Sequence, residues 1–158
     1  MGRKYNVEGG QSIGASDTET MLTITCPADA IVKLRSIDVS QSTHETAEMY
    51  DVEVLRASAD GTGGDTPVPE PVESGDALFG GTVRTGPAAE PTYTADEPLF
   101  KKAWNSVLGL SKVWREDEMP TLSPAGAGNT ILGVRVILKA AMTTCVVQVN
   151  AQFEEVGG

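Results

Sequence analysis

With 158 residues, 40% of them apolar and only 5% aromatic, the chain is long enough to bury one core built mainly of aliphatic side chains. A formal net charge of -10 argues against the basic face that a phosphate-backbone binder needs and against an anionic bilayer surface. Neither nucleic acid nor membrane is therefore an expected partner.

Residues 1–17 are rich in Gly, Ser, Asn and Gln, with Arg3 and Lys4 near the start. That composition predicts a flexible N-terminal arm that orders against a neighbour, or a frayed tail. It has no apolar h-region of a signal peptide, so synthesis in a cytoplasm without a membrane step is expected. A single domain is expected over 18–158. TMLTIT (20–25) and IVKLRSIDVS (31–40) read as strands flanking a Pro-Ala-Asp-Ala turn. The apolar parity changes between Leu34 and Ile37, which predicts a bulge or a strand covered on both faces. In MYDVEVLRA (49–57), Tyr50, Val52 and Val54 share one side, with Asp51 and Glu53 on the other.

Residues 58–97 differ. They carry Gly and Pro throughout, and eight of the chain's 22 acidic residues against one basic residue, Arg84. A long acidic Gly/Pro-rich surface insertion is expected, with short strands near Leu78 to Val83 and around Tyr93. PLFKKAWNSVLGLSKVW (98–114) follows with both tryptophans. Leu99 to Trp104 reads as a strand whose lysines reach solvent, and AWNSVLGL as at best a turn or two of helix stopped by Gly109.

The clearest period-2 pattern comes last. Leu132, Val134, Val136 and Leu138 share one parity, and Cys145, Val147, Val149, Ala151 and Phe153 share another. Joined by the short connection 140–143, these segments predict an antiparallel hairpin. Several strands and no convincing helix point to an antiparallel all-β sandwich or barrel.

Residues able to do chemistry are sparse. Cys26 and Cys145 are too few for a disulfide framework and read as buried free thiols. His44 is the only histidine, and HETAE lacks the second histidine of a zinc-protease motif. No G-x-S-x-G elbow accompanies it. DGTGGD (60–65) lacks the Lys-Ser/Thr of a phosphate loop. It could set Asp60 and Asp65 around calcium, but a flexible turn is the simpler reading. Glu154-Glu155 and Asp117/Glu118 carry no fixed carboxylate spacing, so a glycosidase pair is not supported. No catalytic residue, cofactor or metal site is expected. Trp104 and Trp114 are read as core pins, with Val134, Val136, Val147, Val149 and Phe153 as their aliphatic and aromatic surroundings. Losing a buried indole costs about 3–5 kcal/mol.

The order of features over about residues 22–158 is similar to one family. IVKLRSIDVSQST, YDVEVLRASADGTGG, AWNSVLGLSKVW, a Glu/Pro-containing turn with SPAGAG, and two long strands ending FEEVGG follow one another. This order resembles small all-β virion proteins encoded in tailed-bacteriophage and prophage structural gene clusters. The resemblance implies a jelly-roll-like sandwich, no catalysis, and a capsid decoration or cement role on the virion surface. It also implies the major capsid protein as partner and a homo-oligomer, with a trimer favoured because shells offer threefold positions. The arm residues Arg3, Lys4, Tyr5, Asn6 and Val7 would then be the partner-binding stretch. Competing readings are a carbohydrate- or receptor-binding module of a tail or fibre, with Trp114 exposed near Asn105, another head or tail component, and a hydrolase with a raised acid pKa.

Overall fold

The structure is a computed structural model. It describes residues 2–42, 49–94, 97–105, 107–124, 130–139 and 145–157. Two six-stranded antiparallel sheets pack face to face, and no helix occurs among the described residues. Sheet A holds β1 (Arg3–Ile13), β3 (Ala30–Gln41), β5 (Glu70–Pro71), β9 (Leu110–Val113), β10 (Thr121–Leu122) and β12 (Cys145–Gly157). Sheet B holds β2 (Thr18–Thr25), β4 (Met49–Ala59), β6 (Thr82–Thr85), β7 (Thr92–Tyr93), β8 (Phe100–Asn105) and β11 (Ile131–Leu138).

The order across sheet A is β10-β3-β12-β1-β5, with β9 also on β3; across sheet B it is β6-β2-β11-β4-β7, with β8 also on β4. Strands β1 to β4 alternate between the sheets, β4 and β11 share sheet B, and β12 returns to sheet A. This corrects the expected β11–β12 hairpin: β11 pairs with β2 and β4, while β12 pairs with β1 and β3. Alternation of apolar residues marks which face of a strand is buried but not which sheet it joins. A strand from either sheet presents the same period to the shared core.

Residues 3–13, expected within a flexible arm, form an eleven-residue strand that runs along β12 from Arg3↔Glu155 to Ile13↔Cys145. Tyr5, Val7 and Ile13 face the core. Gly9 shares their parity and lies so close to sheet B that an added Cβ would come within 2.5 Å of the Thr85 methyl. The glycine that made this stretch read as loop is thus required by close contact between layers. The parity change in β3 coincides with a register shift opposite Gln152/Phe153, which places the expected bulge at Arg35. The described residues of the AWNSVLGL stretch are not helical. β8 ends at Asn105 in sheet B, and the chain turns through Gly109 at φ +65° into β9 of sheet A.

The core between the sheets is aliphatic, punctuated by aromatic groups. Phe79 and Phe153 lie 4.9 Å apart, each beside Tyr5, and Tyr50 and Trp104 are 4.9 Å apart. Phe100 meets Trp114 edge-on at 5.7 Å. These offset and T-shaped pairs suit the ring quadrupoles and supply the large anchors of a core otherwise built of Val, Leu and Ile.

Candidate functional site

Polar groups concentrate on the outer face of sheet B. On β4, Tyr50, Val52 and Val54 point into the core, leaving Asp51, Glu53 and Leu55 on the far side, as the alternation predicted for the two acids. Yet Asp51, Glu53 and Leu55 are buried as well. Leu55 and the neighbouring Thr20, Thr23 and Ile131 are buried on the outer face too, where Asp60, Glu90 and Tyr93 from the stretch after β4 fold back onto it.

Three ties hold this cover. Asp60 accepts from the Thr23 hydroxyl at 2.7 Å and pairs with Arg84 Nε at 2.9 Å, and Arg84 also donates to Gly63 O at 2.8 Å. The Thr20 backbone N–H donates to Glu90 Oε1 at 2.9 Å, and the Thr20 hydroxyl donates to the other Glu90 oxygen. The Tyr93 hydroxyl, 2.5 Å from Thr20 Oγ1, then donates to Thr20. Burial raises the Tyr93 pKa, so it stays a neutral donor. The Arg135 guanidinium stacks 5.0 Å over the Tyr93 ring.

Beside this cover lies an ion network. Glu53 accepts from Lys101 Nζ and Arg135 Nε, both at 2.7 Å, while Asp51 pairs with Lys139 and, at 3.7 Å, Lys101. Burial alone would raise the Glu53 carboxyl, but the hydrogen bonds and charges of Lys101 and Arg135 outweigh it, and the net shift is downward. The Lys101 ammonium is raised in turn, chiefly by its hydrogen bond to Glu53. Glu19 behaves oppositely: burial first, then the charges of Glu90 and Asp17, raise its pKa. Gln11 Nε2 donates to Glu19 at 3.0 Å. A raised acid is what the hydrolase reading asked for, but this one lies beside a carboxylate that anchors backbone and hydroxyl groups of its own chain.

The sequence-derived candidates fall as follows. Trp104 and Trp114 are 5% and 6% exposed, so Trp114 is not the open platform near Asn105 that glycan binding would need. Val134, Val136, Val147, Val149 and Phe153 line the core. In the proposed partner-binding stretch, Tyr5 and Val7 are core residues, Arg3 and Lys4 are partly covered, and Asn6 alone is exposed. Tyr5 donates to Ala77 O at 2.8 Å and to Glu155 at 3.0 Å. Burial, with the Glu155 hydrogen bond, pushes its pKa up to about 12. As a strand, this stretch cannot reach outward as an arm.

Cys26 and Cys145 are free and buried, and burial raises the Cys26 thiol. His44 lies outside the described residues. Asp60 already serves Arg84 and Thr23, and Asp65 contributes its backbone to a bridge with Thr85. Glu154 and Glu155 leave opposite faces of β12: Glu154 meets Arg35 at 2.7 Å, and Glu155 is buried against Tyr5. No group of three or more His, Cys, Asp or Glu able to hold a metal ion occurs among the described residues. Sequence reasoning missed the Thr20–Glu90–Tyr93 tie, whose members lie some seventy positions apart. The one local hint was that Thr20 and Thr23 sit in an otherwise apolar strand.

The outer face of sheet A contrasts with all this. Asn6, Glu8 and Ser12 of β1, Asn150 of β12, and Asp38 and Ser40 of β3 stand exposed on it. Gln152 donates to Asn6 at 3.1 Å. No segment of the chain was found lying across this face among the described residues.

No protein-family model and no curated protein matches the sequence. Among solved structures, the infectious bursal disease virus VP2 subviral particle aligns with 99% of this chain and 42% of its own at 14% identity and a TM-score of 0.20. The T13 viral particle of the same virus, IBDV, aligns with 99% of this chain and 40% of its own at 12% identity and a TM-score of 0.19. This chain spans less than half the length of those chains, and TM-scores this low establish no shared fold.

Proposed function

We propose that this chain is a virion structural protein of the tailed-phage kind, a decoration or cement protein that lies on the capsid surface and bridges capsid subunits. One observation carries the reading: the sandwich is sealed by its own chain on one outer face and presents a broad open polar sheet on the other. Its buried carboxylates are spent on holding the fold. Asp51 and Glu53, like the half-buried Asp60, each meet a cation of the chain, and Glu155 meets Arg3 at 3.5 Å as well as Tyr5. Such a rigid plate fits a part that transmits load between neighbours rather than one that turns over a substrate.

The strand order supports a jelly roll in particular. Taking the long strands and their nearest short partners, β9-β3-β12-β1 faces β8-β4-β11-β2. Two Greek keys wrapped into a double sheet give this order. The major capsid protein is the expected partner, with the protein itself oligomeric and made in the host cytoplasm. Cosedimentation with undecorated shells tests this. We expect saturable binding that Asn150→Arg on the open face weakens at least about tenfold, with an unchanged thermal melt. A protein that ignores shells and instead retains a glycan on an array would replace this reading with the receptor-binding one.

A further inference from the structure

Past Gly86, which donates to Met21 O at 3.2 Å, the chain runs on to Tyr93 and is hydrogen-bonded to β2 at Thr20 alone among the described residues. Both oxygens of Glu90 are engaged there. One accepts from the Thr20 backbone N–H and the other from its hydroxyl, which in turn accepts from Tyr93. Ala88 and Ala89 donate to Thr62 O, a tie within the cover itself. Pro87 and Pro91 have no N–H to offer. The attachment of this stretch to β2 therefore hangs on one carboxylate.

A second carboxyl stands beside it. Gln11 Nε2 of β1 donates to Glu19 Oε2 at 3.0 Å and to Thr20 O at 3.1 Å, which holds the Glu19 side chain at the residue that Glu90 grips. The two carboxyl groups lie within hydrogen-bonding reach of each other. Such a pair makes a hydrogen bond when one member carries a proton and repels when both are ionised.

The groups around the pair do not relieve that repulsion. On β2, Asp17 adds a further negative charge, and on β1 the facing group is the neutral Gln11. On β11, Val136 stands opposite Glu19 and Arg135 opposite Thr20, but Arg135 is committed to Glu53 of β4 and stacks on Tyr93, a neutral phenol. Lys139 follows the Leu138 amide that donates to Asp17 O, and is paired with Asp51; Arg84 of β6 is paired with Asp60. Burial and the neighbouring acids thus keep Glu19 protonated to higher pH than an ordinary glutamate.

We propose that Glu19 and Glu90 form an acid-closed latch: a proton held between the two carboxyl groups seats residues 87–93 on β2, and its loss lets that stretch lift away from Thr20. The proton enters from solvent as pH falls and returns to it as pH rises, and no covalent bond changes. In the lifted state Glu19 titrates near its ordinary 4.5. Closure is therefore complete below about that pH, weakens by up to about tenfold per unit as pH rises to the folded value, and is level beyond it. The latch needs no partner, so this experiment and the shell experiment fail separately.

Amide exchange of the whole chain between pH 4.5 and 7.5, expressed as protection relative to the unstructured rate at each pH, tests it. The reporter is the Thr20 N–H, whose acceptor is Glu90. In wild type its protection is expected to fall by at least about tenfold across the series. Glu19→Gln, whose amide donates to Glu90 at every pH, should keep protection high and level. Glu90→Gln still offers a carbonyl to the Thr20 N–H but removes the repulsion, so its profile should be level too. Matching thermal melts at pH 4.5 verify that both variants are folded. Wild-type protection that stays level across the series overturns the inference. So does a fall that persists undiminished in Glu19→Gln.

Discussion

Sheet B turns a partly covered outer face toward its own chain, whereas sheet A turns an open polar one toward its surroundings. The same sandwich geometry serves both, so the difference comes from what lies across each sheet. Over sheet B, Asp60, Glu90 and Tyr93 reach across to Thr20 and Thr23, and the buried strand acids find cations: Glu53 takes Lys101 and Arg135. Among the described residues nothing comparable lies over sheet A, and Asn6, Asn150 and Ser40 stay in water. Acidic sequence is therefore not one thing here. Part of it is buried fastening, and part is exposed side.

The sharpest way to break this contrast is Glu53→Ala. It strands the Arg135 and Lys101 charges against a covered surface and should cost about 2–4 kcal/mol in urea unfolding. That is below the full range for a dry pair because Lys101 is half in water. Glu90→Ala should cost less, about 1–2 kcal/mol, through loss of the Thr20 bonds. Its distinctive readout is faster amide exchange across 87–94 and in β2, with sheet A unchanged.

A pH series separates two acids on the sealed side. Glu19 is raised above its usual 4.5 in the folded protein, so its stabilising contribution is complete below about pH 4.5 and is lost as pH rises through the folded value. Glu19→Gln should therefore be more stable than wild type at neutral pH, with the gain vanishing in acid. Glu53 is lowered, so its contribution is present above 4.5 and is lost as pH falls through its folded value. Glu53→Gln should thus lose stability at neutral pH and converge with wild type in acid. Melts of both variants against pH check the opposite slopes. The smallest effect belongs to the open face: Asn150→Ala should move stability by no more than about 0.5 kcal/mol. A larger loss would mean that sheet A's outer face is also structural.

Much of the architecture was legible. The alternation in β3, β4, β11 and β12 marked the buried faces, and the parity break in β3 marked its bulge. Three things were not. Sheet membership of β11 and β12 was hidden because both contribute the same period to one core. β1 was hidden because its third inward position is Gly9, chosen for the narrow gap to Thr85 and not for hydrophobicity. The sealing of sheet B was hidden because it depends on single polar residues, Glu90 and Tyr93 against Thr20, whose meeting no local pattern announces.

The place of β12 bears on how the protein comes into being. β12 follows every other strand in sequence yet occupies the middle of sheet A, with β1 along one edge and β3 along the other. Until β12 is available, β1 and β3 have no common partner, and no early hairpin exists to hold the growing chain. Folding must therefore close its longest loop to complete its central strand. Such a topology belongs to the slow end of single-domain folders, on the order of milliseconds to seconds. A nascent chain stalled before residue 145 would present two long unpaired strand edges to whatever was nearby.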